Sequence, residues 1–281
     1  MERAVYAFQR LKPFWGDRPV SVVNQQTLRD YEEYRVEFHE RRFPNREPIS
    51  DNTIIRELGV LRAALSSAYR GKLINQEVFI DLPPQSYSEI TFFTCKEAVG
   101  LLFFAKRAAR AKDYLPIFLA IGFLTGRRKS SILELRWEDI NLETGIIRWQ
   151  REGAIETNKR RPVGALPKRL KRILTEHRKK HPDDEYVVSY NGKQIKDIKK
   201  SFGDAVHLLR RHLSEKTSTE YDQVLTRAYT HMMRHSCATW LMQKGTDKRE
   251  TCQFLGMTED TLDRRYWSHH PDYQKGPANA F

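Results

Sequence analysis

The stretch YLPIFLAIGFLTG, residues 114–126, is apolar on every side of a helix drawn through it. It constrains the fold more than any other part of the chain. A surface helix keeps a polar face opposite its apolar stripe; this one has none and reads as a helix buried in a core. It is too short for the roughly 20 apolar residues that span a bilayer, and no other stretch approaches that length. The opening MERAVYAFQRLKPFW has no signal-peptide apolar region. With 40% hydrophobic and 11% aromatic residues, 281 positions can supply the core of one large or two ordinary domains.

Charge is distributed unevenly. The chain carries a formal net charge of +13. Residues 1–85 hold 13 Lys/Arg against 12 Asp/Glu, and the remainder holds 36 against 24. A basic excess confined to the C-terminal two-thirds, with a sequence pI near 9.6, points to a polyanion partner, most simply nucleic acid. Cys95, Cys237 and Cys252 are odd in number and widely spaced. They form neither a disulfide framework nor a CxxC metal motif, which fits a reducing cytosol.

Local patterns divide the chain into a small helical part, a linker and a larger part. In SDNTIIRELGVLRAALSSAYRG, residues Ile54, Ile55, Leu58, Leu61, Leu65 and Ala68 recur at helical spacing, with Gly71 placed to end the helix. Residues 84–93 read as a linker. Thr94 and Glu97 form a capping box that opens the next helix. Further helices are expected to about residue 136, then at 167–180, 195–213, 231–244, 247–255 and 259–268. Short strands are expected at 145–150, 160–166 and 186–190.

Four places carry candidate chemistry. Arg127 and Arg128 follow Thr125-Gly126, where the apolar helix must end, and arginine offers planar donors to a phosphate. Lys159 falls in the turn between two expected strands. In YTHMMRHSCATWLMQKG, His231 and Arg234 lie three apart, on one face of a first helical turn whose free N–H groups favour an anion. His235 follows four after His231, but Met232 stands where a metalloprotease helix has glutamate and no third ligand completes a set, so no metal is expected. Near the C-terminus, Tyr266 lies among cations and histidines in DTLDRRYWSHHPDY.

Together these pieces, in this order, resemble the tyrosine recombinase (phage integrase) family. The family's Thr-Gly-x-Arg reads here as Thr125-Gly126-Arg127-Arg128, its β-turn lysine as Lys159, and its His-x-x-Arg as His231 through Arg234. Its Leu-Gly-His followed by tyrosine reads as Leu255-Gly256-Met257 with Tyr266, nine residues on. The resemblance covers residues 94–270, and more loosely the first 85. It implies a mainly α fold with a small antiparallel β-sheet. A helical core-binding domain would occupy residues 1–83, a linker 84–93, and an α+β catalytic domain with a C-terminal tail 94–281.

The resemblance further implies cleavage and rejoining of double-stranded DNA through a 3′-phosphotyrosine, without metal, ATP or other cofactor. Arg128, Lys159, His231, Arg234 and Tyr266 would be the catalytic set, with His231 handling the tyrosine proton and Lys159 the leaving 5′-oxygen. Arg127, Arg160, Arg161, Lys168, Arg169 and Arg172 would contact DNA. Work on two duplexes implies a homo-tetramer on DNA, with a monomer when free, in the cytoplasm. Two positions depart from the pattern. Met257 replaces a phosphate-binding His or Trp, and Ser131 replaces a supporting carboxylate. They motivate the alternative of a catalytically weakened or inactive DNA-binding protein of the same fold.

Overall fold

The computed structural model describes residues 2–82, 90–108, 111–149, 163–215, 225 and 228–279. The chain forms two compact units, Met1–Glu89 and Ile90–Phe281.

The first unit is helical: α1 (Glu2–Trp15), α2 (Gln25–Arg42) and α3 (Asp51–Arg70). Asn24 caps α2 by accepting from the N–H groups of Gln26 and Thr27, both at 3.0 Å. Its core gathers Leu11, Trp15, Leu28, Tyr31, Ile54, Leu58 and Leu65, so α3 presents inward the face its spacing predicts. One ion pair is buried in that core. Arg35 meets both oxygens of Glu57 at 2.7 and 2.9 Å, and the Tyr31 hydroxyl donates to Glu57 at 2.7 Å. Gly71 follows α3 as expected, but with φ −78° it is not the left-handed residue. Lys72 takes that role at φ 57°.

In the second unit, Thr94 and Glu97 do form the capping box of α4 (Cys95–Ala105). The apolar stretch becomes α5 (Leu115–Thr125), buried on all sides. Pro116 sits in its first turn, where its missing N–H is harmless. A short α6 (Lys129–Leu133) leads into a three-stranded antiparallel sheet of β1 (Ile140–Asn141), β2 (Ile146–Ile147) and β3 (Gly164–Ala165), in that order. Then come α7 (Lys168–Lys180), a separate ribbon of β4 (Ser189–Tyr190) with β5 (Lys193–Gln194), and α8 (Lys199–Ser214). The site helices follow: α9 (Met232–Gln243), α10 (Lys248–Leu255) and α11 (Glu259–Arg265).

The fold is thus mainly helical with a minimal antiparallel sheet. Two expectations need correction. The strand expected at 186–190 is split: Tyr186 makes a single antiparallel bridge with Arg136, and only Ser189 and Tyr190 pair in the separate ribbon, while Val187 and Val188 between them are wholly buried and fill the core. The helix expected over 259–268 stops at Arg265. Tyr266 has φ −132° and ψ −18°, and a 3-10 turn, Trp267–His269, follows. Among the described residues no helix is long and apolar enough to cross a membrane.

Candidate active site

Two glycines bring the site helices together. A Cβ on Gly122 of α5 would lie 2.6 Å from the Met233 sulfur, so its absence lets α9 pack close to α5. Gly126 ends α5 in the left-handed region at φ 60°. A Cβ there would meet Leu255 Cδ2 at 2.5 Å and Cys237 Cβ at 3.3 Å. Both the turn and the close approach demand glycine.

Arg234, on the first turn of α9, fills the junction so formed. Its Nη1 donates to the carbonyls of Gly126 at 2.9 Å and Leu255 at 2.6 Å, and its Nη2 to Gly256 at 3.4 Å. These carbonyls terminate α5 and α10, where helices leave acceptors unpaired and the dipole is negative. Of the five N–H bonds of a guanidinium, Nε–H and one on Nη2 keep no partner among the described residues. Burial, then the charge of Arg128, lowers Arg234 to about 10, and it stays cationic at neutral pH.

Adjacent arginines have different fates. Arg127, expected at the DNA, points inward and is 5% exposed. Its Nη2 donates to the Phe254 carbonyl at 2.6 Å and its guanidinium lies 4.9 Å over the Trp149 ring. Burial, followed by Arg234 and Arg128, lowers it to about 10. Arg128 is half-buried, and its side chain makes no hydrogen bond or ion pair among the described residues. Its charge acts on both Arg234 and His231. Of the adjacent pair, Arg128 is the one whose guanidinium is left unpaired among the described residues.

Tyr266 is not on the open surface where its cationic neighbours in sequence would put it. It is 3% exposed, in a cluster with Cys237, Leu255, Leu262 and Met257. Its hydroxyl lies 2.7 Å from His235 Nδ1. Burial outweighs the opposing charges of Arg234 and Arg265 and raises the phenol to about 12. The His231 and His235 rings sit edge to face, 5.0 Å apart. Burial of the ring, then Arg234 and Arg128, holds His231 down at about 4, although the residue as a whole is exposed to solvent. His235 is likewise lowered to about 4, by burial first and then by His231, Arg265 and Arg234. Both rings are neutral at pH 7.

Arg128, His231, Arg234 and Tyr266 thus come to one locality, where His235 contacts both Tyr266 and His231. From the sequence, His235 stands out only as a metal-ligand candidate, through its spacing four after His231. Met257 is 6% exposed and packs as an apolar residue against the Tyr266 cluster. Ser131 is buried in α6 and makes no side-chain hydrogen bond among the described residues. Lys168, Arg169 and Arg172 are carried on α7, whose outer face is open to solvent. Lys171 instead donates to the Glu143 carbonyl, and Arg178 to those of His181 and Asp184. Lys159, Arg160 and Arg161 lie outside the described residues. No group of three or more His, Cys, Asp or Glu suited to a metal occurs among the described residues.

Residues 91–272 match the phage integrase family model. The chain is 27% identical over 202 residues to the tyrosine recombinase XerA of Thermococcus kodakarensis, covering 72% of this chain and 66% of that protein. With the tyrosine recombinase XerC of Bacillus licheniformis it shares 24% identity over 270 residues, 89% of this chain and 83% of that protein. Among solved structures, the Tn1549 transposon integrase in complex with transposon right end DNA superposes with a TM-score of 0.72 at 15% identity, covering 96% of this chain and 90% of that one. The XerH site-specific recombinase bound to a palindromic difH substrate gives 0.68 at 16% identity, covering 99% and 78%. The family match and the curated relatives define a tyrosine recombinase. The chain belongs to the phage integrase family.

Proposed function

We propose that the protein is a site-specific DNA recombinase that cleaves and rejoins strands through a 3′-phosphotyrosine. The observation that carries this reading is the gathering of Arg128, with no protein partner among the described residues, Arg234, neutral His231 and Tyr266 at the α5–α9–α10 junction. The Tyr266 oxygen attacks phosphorus, the bond to the 5′-oxygen breaks, and the ester energy is kept in the protein–DNA link. Arg128 and the two remaining N–H groups of Arg234 take the non-bridging oxygens, whose charge grows in the transition state. His231 lies beside these cations and offers a neutral N–H to the same phosphate. Lys159 protonates the leaving 5′-oxygen. Lys168, Arg169 and Arg172 follow the phosphate backbone. The unit Met1–Glu89 is the core-binding domain, and four copies act together on two duplexes.

A second reading, a weakened or inactive DNA-binding relative, is favoured by one observation. Met257 lies in the apolar cluster under Tyr266 and can donate no hydrogen bond. A nicked duplex that traps the covalent intermediate, drawn from DNA flanking the gene, separates the two. The wild-type chain is expected to give an SDS-resistant adduct and Tyr266→Phe none. An adduct that persists in Tyr266→Phe removes the nucleophile assignment; none in either supports the second reading.

A further inference from the structure

The immediate partner of the proposed nucleophile is His235, which the catalytic set named above does not include. We propose that His235 is a catalytic residue, whose Nδ1 both orients the Tyr266 hydroxyl and accepts its proton during attack on phosphorus. This rests on the assignment of Tyr266 as nucleophile. The hydroxyl lies 2.7 Å from Nδ1, within hydrogen-bond reach of a general base. No hydrogen bond joins Tyr266 to His231 among the described residues.

The surroundings suit the task. His235 faces His231 one turn earlier, Tyr229 at 6.4 Å between rings, and the cations Arg234 and Arg265. No carboxylate is paired with it among the described residues. A ring among cations stays neutral and keeps a lone pair free for the phenol. Nε2 has no partner among the described residues, so the ring proton can sit there while Nδ1 accepts.

The chemistry requires such an acceptor. A phenol held at about 12 is ionised in only about 10⁻⁵ of molecules at pH 7, so its proton must leave as attack proceeds. An imidazole near 4 does not take it from the resting phenol. Once the oxygen–phosphorus bond forms, the oxygen loses basicity and the transfer runs downhill. The balance closes. The oxygen–phosphorus bond forms, the phosphorus–5′-oxygen bond breaks, the phenolic proton moves to His235, and the departing oxygen takes its proton from Lys159. In religation, His235 returns its proton to the tyrosine.

The test is the rate of adduct formation at saturating protein, on the nicked duplex, between pH 6 and 9. The ratio of wild-type to His235→Ala rate is expected near 10²-fold at pH 7, about the usual contribution of a positioned base, and to shrink toward parity by pH 9 as solvent hydroxide takes over. His235→Asn keeps a hydrogen-bonding atom near Nδ1 but cannot carry the proton. It is expected to be equally slow, with unchanged DNA affinity and unchanged melting at pH 7.5, and it decides the matter if the alanine variant does not fold. A wild-type rate in His235→Asn, or a deficit independent of pH, overturns the role of His235 alone. No adduct from the wild type, or one from Tyr266→Phe, overturns the nucleophile assignment and this role with it.

Discussion

Gly126→Ala probes the junction on which the site depends. The backbone there has φ 60°, a region that costs an L-residue about 1–2 kcal/mol. The new methyl would also lie 2.5 Å from Leu255 Cδ2 and 3.3 Å from Cys237 Cβ, and such overpacking costs about 1–3 kcal/mol. The two effects act on separate coordinates and together predict about 2–5 kcal/mol of destabilisation. For a unit of this size each kcal/mol lowers Tm by about 2–4 °C, a fall of roughly 5–20 °C. Differential scanning calorimetry of the full chain reads it directly. Gly203→Ala supplies the contrast: it lies within α8 with nothing near its added Cβ, and should stabilise by about 0.5–1 kcal/mol. Melting of Gly126→Ala within about 2 °C of the wild type, the smallest shift expected of a single kcal/mol, would refute the argument that glycine is obligatory there. Because Arg234 is anchored on the Gly126 and Leu255 carbonyls, adduct formation should fall further in this variant than DNA affinity.

Acid should unfold the second unit earlier than its carboxylates alone require. His231 and His235 are lowered to about 4 when folded against about 6.5 unfolded. They therefore contribute stability above pH 6.5 that is lost as pH falls toward 4, at up to about 1.4 kcal/mol per pH unit each, discounted by solvent for the more exposed His231. Tm followed from pH 7.5 to 4 should drop, and His235→Asn should flatten the curve; an unchanged curve would contradict the buried neutral ring. Replacing Lys168, Arg169 and Arg172 with alanine should weaken DNA binding and reduce the slope of log affinity against log salt by up to about 3, near 0.9 for each phosphate no longer neutralised. An unaltered slope would remove α7 from the interface.

Much of this was legible in the sequence. The all-apolar 114–126 stretch predicted the central helix, and Thr94 with Glu97 predicted the start of α4, because both signals are local. Motif spacing picked out Arg128, His231, Arg234 and Tyr266, which the structure brings to one locality. What escaped was tertiary. Arg127 and Arg128 are identical in type and adjacent; only the direction of the chain leaving Gly126 buries one and frees the other. The partner of Tyr266 lies 31 residues upstream, beyond any helical periodicity. β1 is two residues long, too short to show alternation. Burial of Tyr266 was masked by its charged neighbours, of which Arg264 pairs on the surface with Asp260 at 2.7 Å.

The Arg234 staple bears on how a retired copy of this protein would look. A chain that had stopped cutting DNA would still need that guanidinium to tie the ends of α5 and α10, so selection for folding alone would preserve it. Arg128 has no such second employment among the described residues. In a lineage sliding toward inactivity, Arg128 would be free to drift long before Arg234. On the proposed mechanism, an intact Arg128, and not the more deeply seated arginine, would be the sequence mark by which working members are told from retired ones.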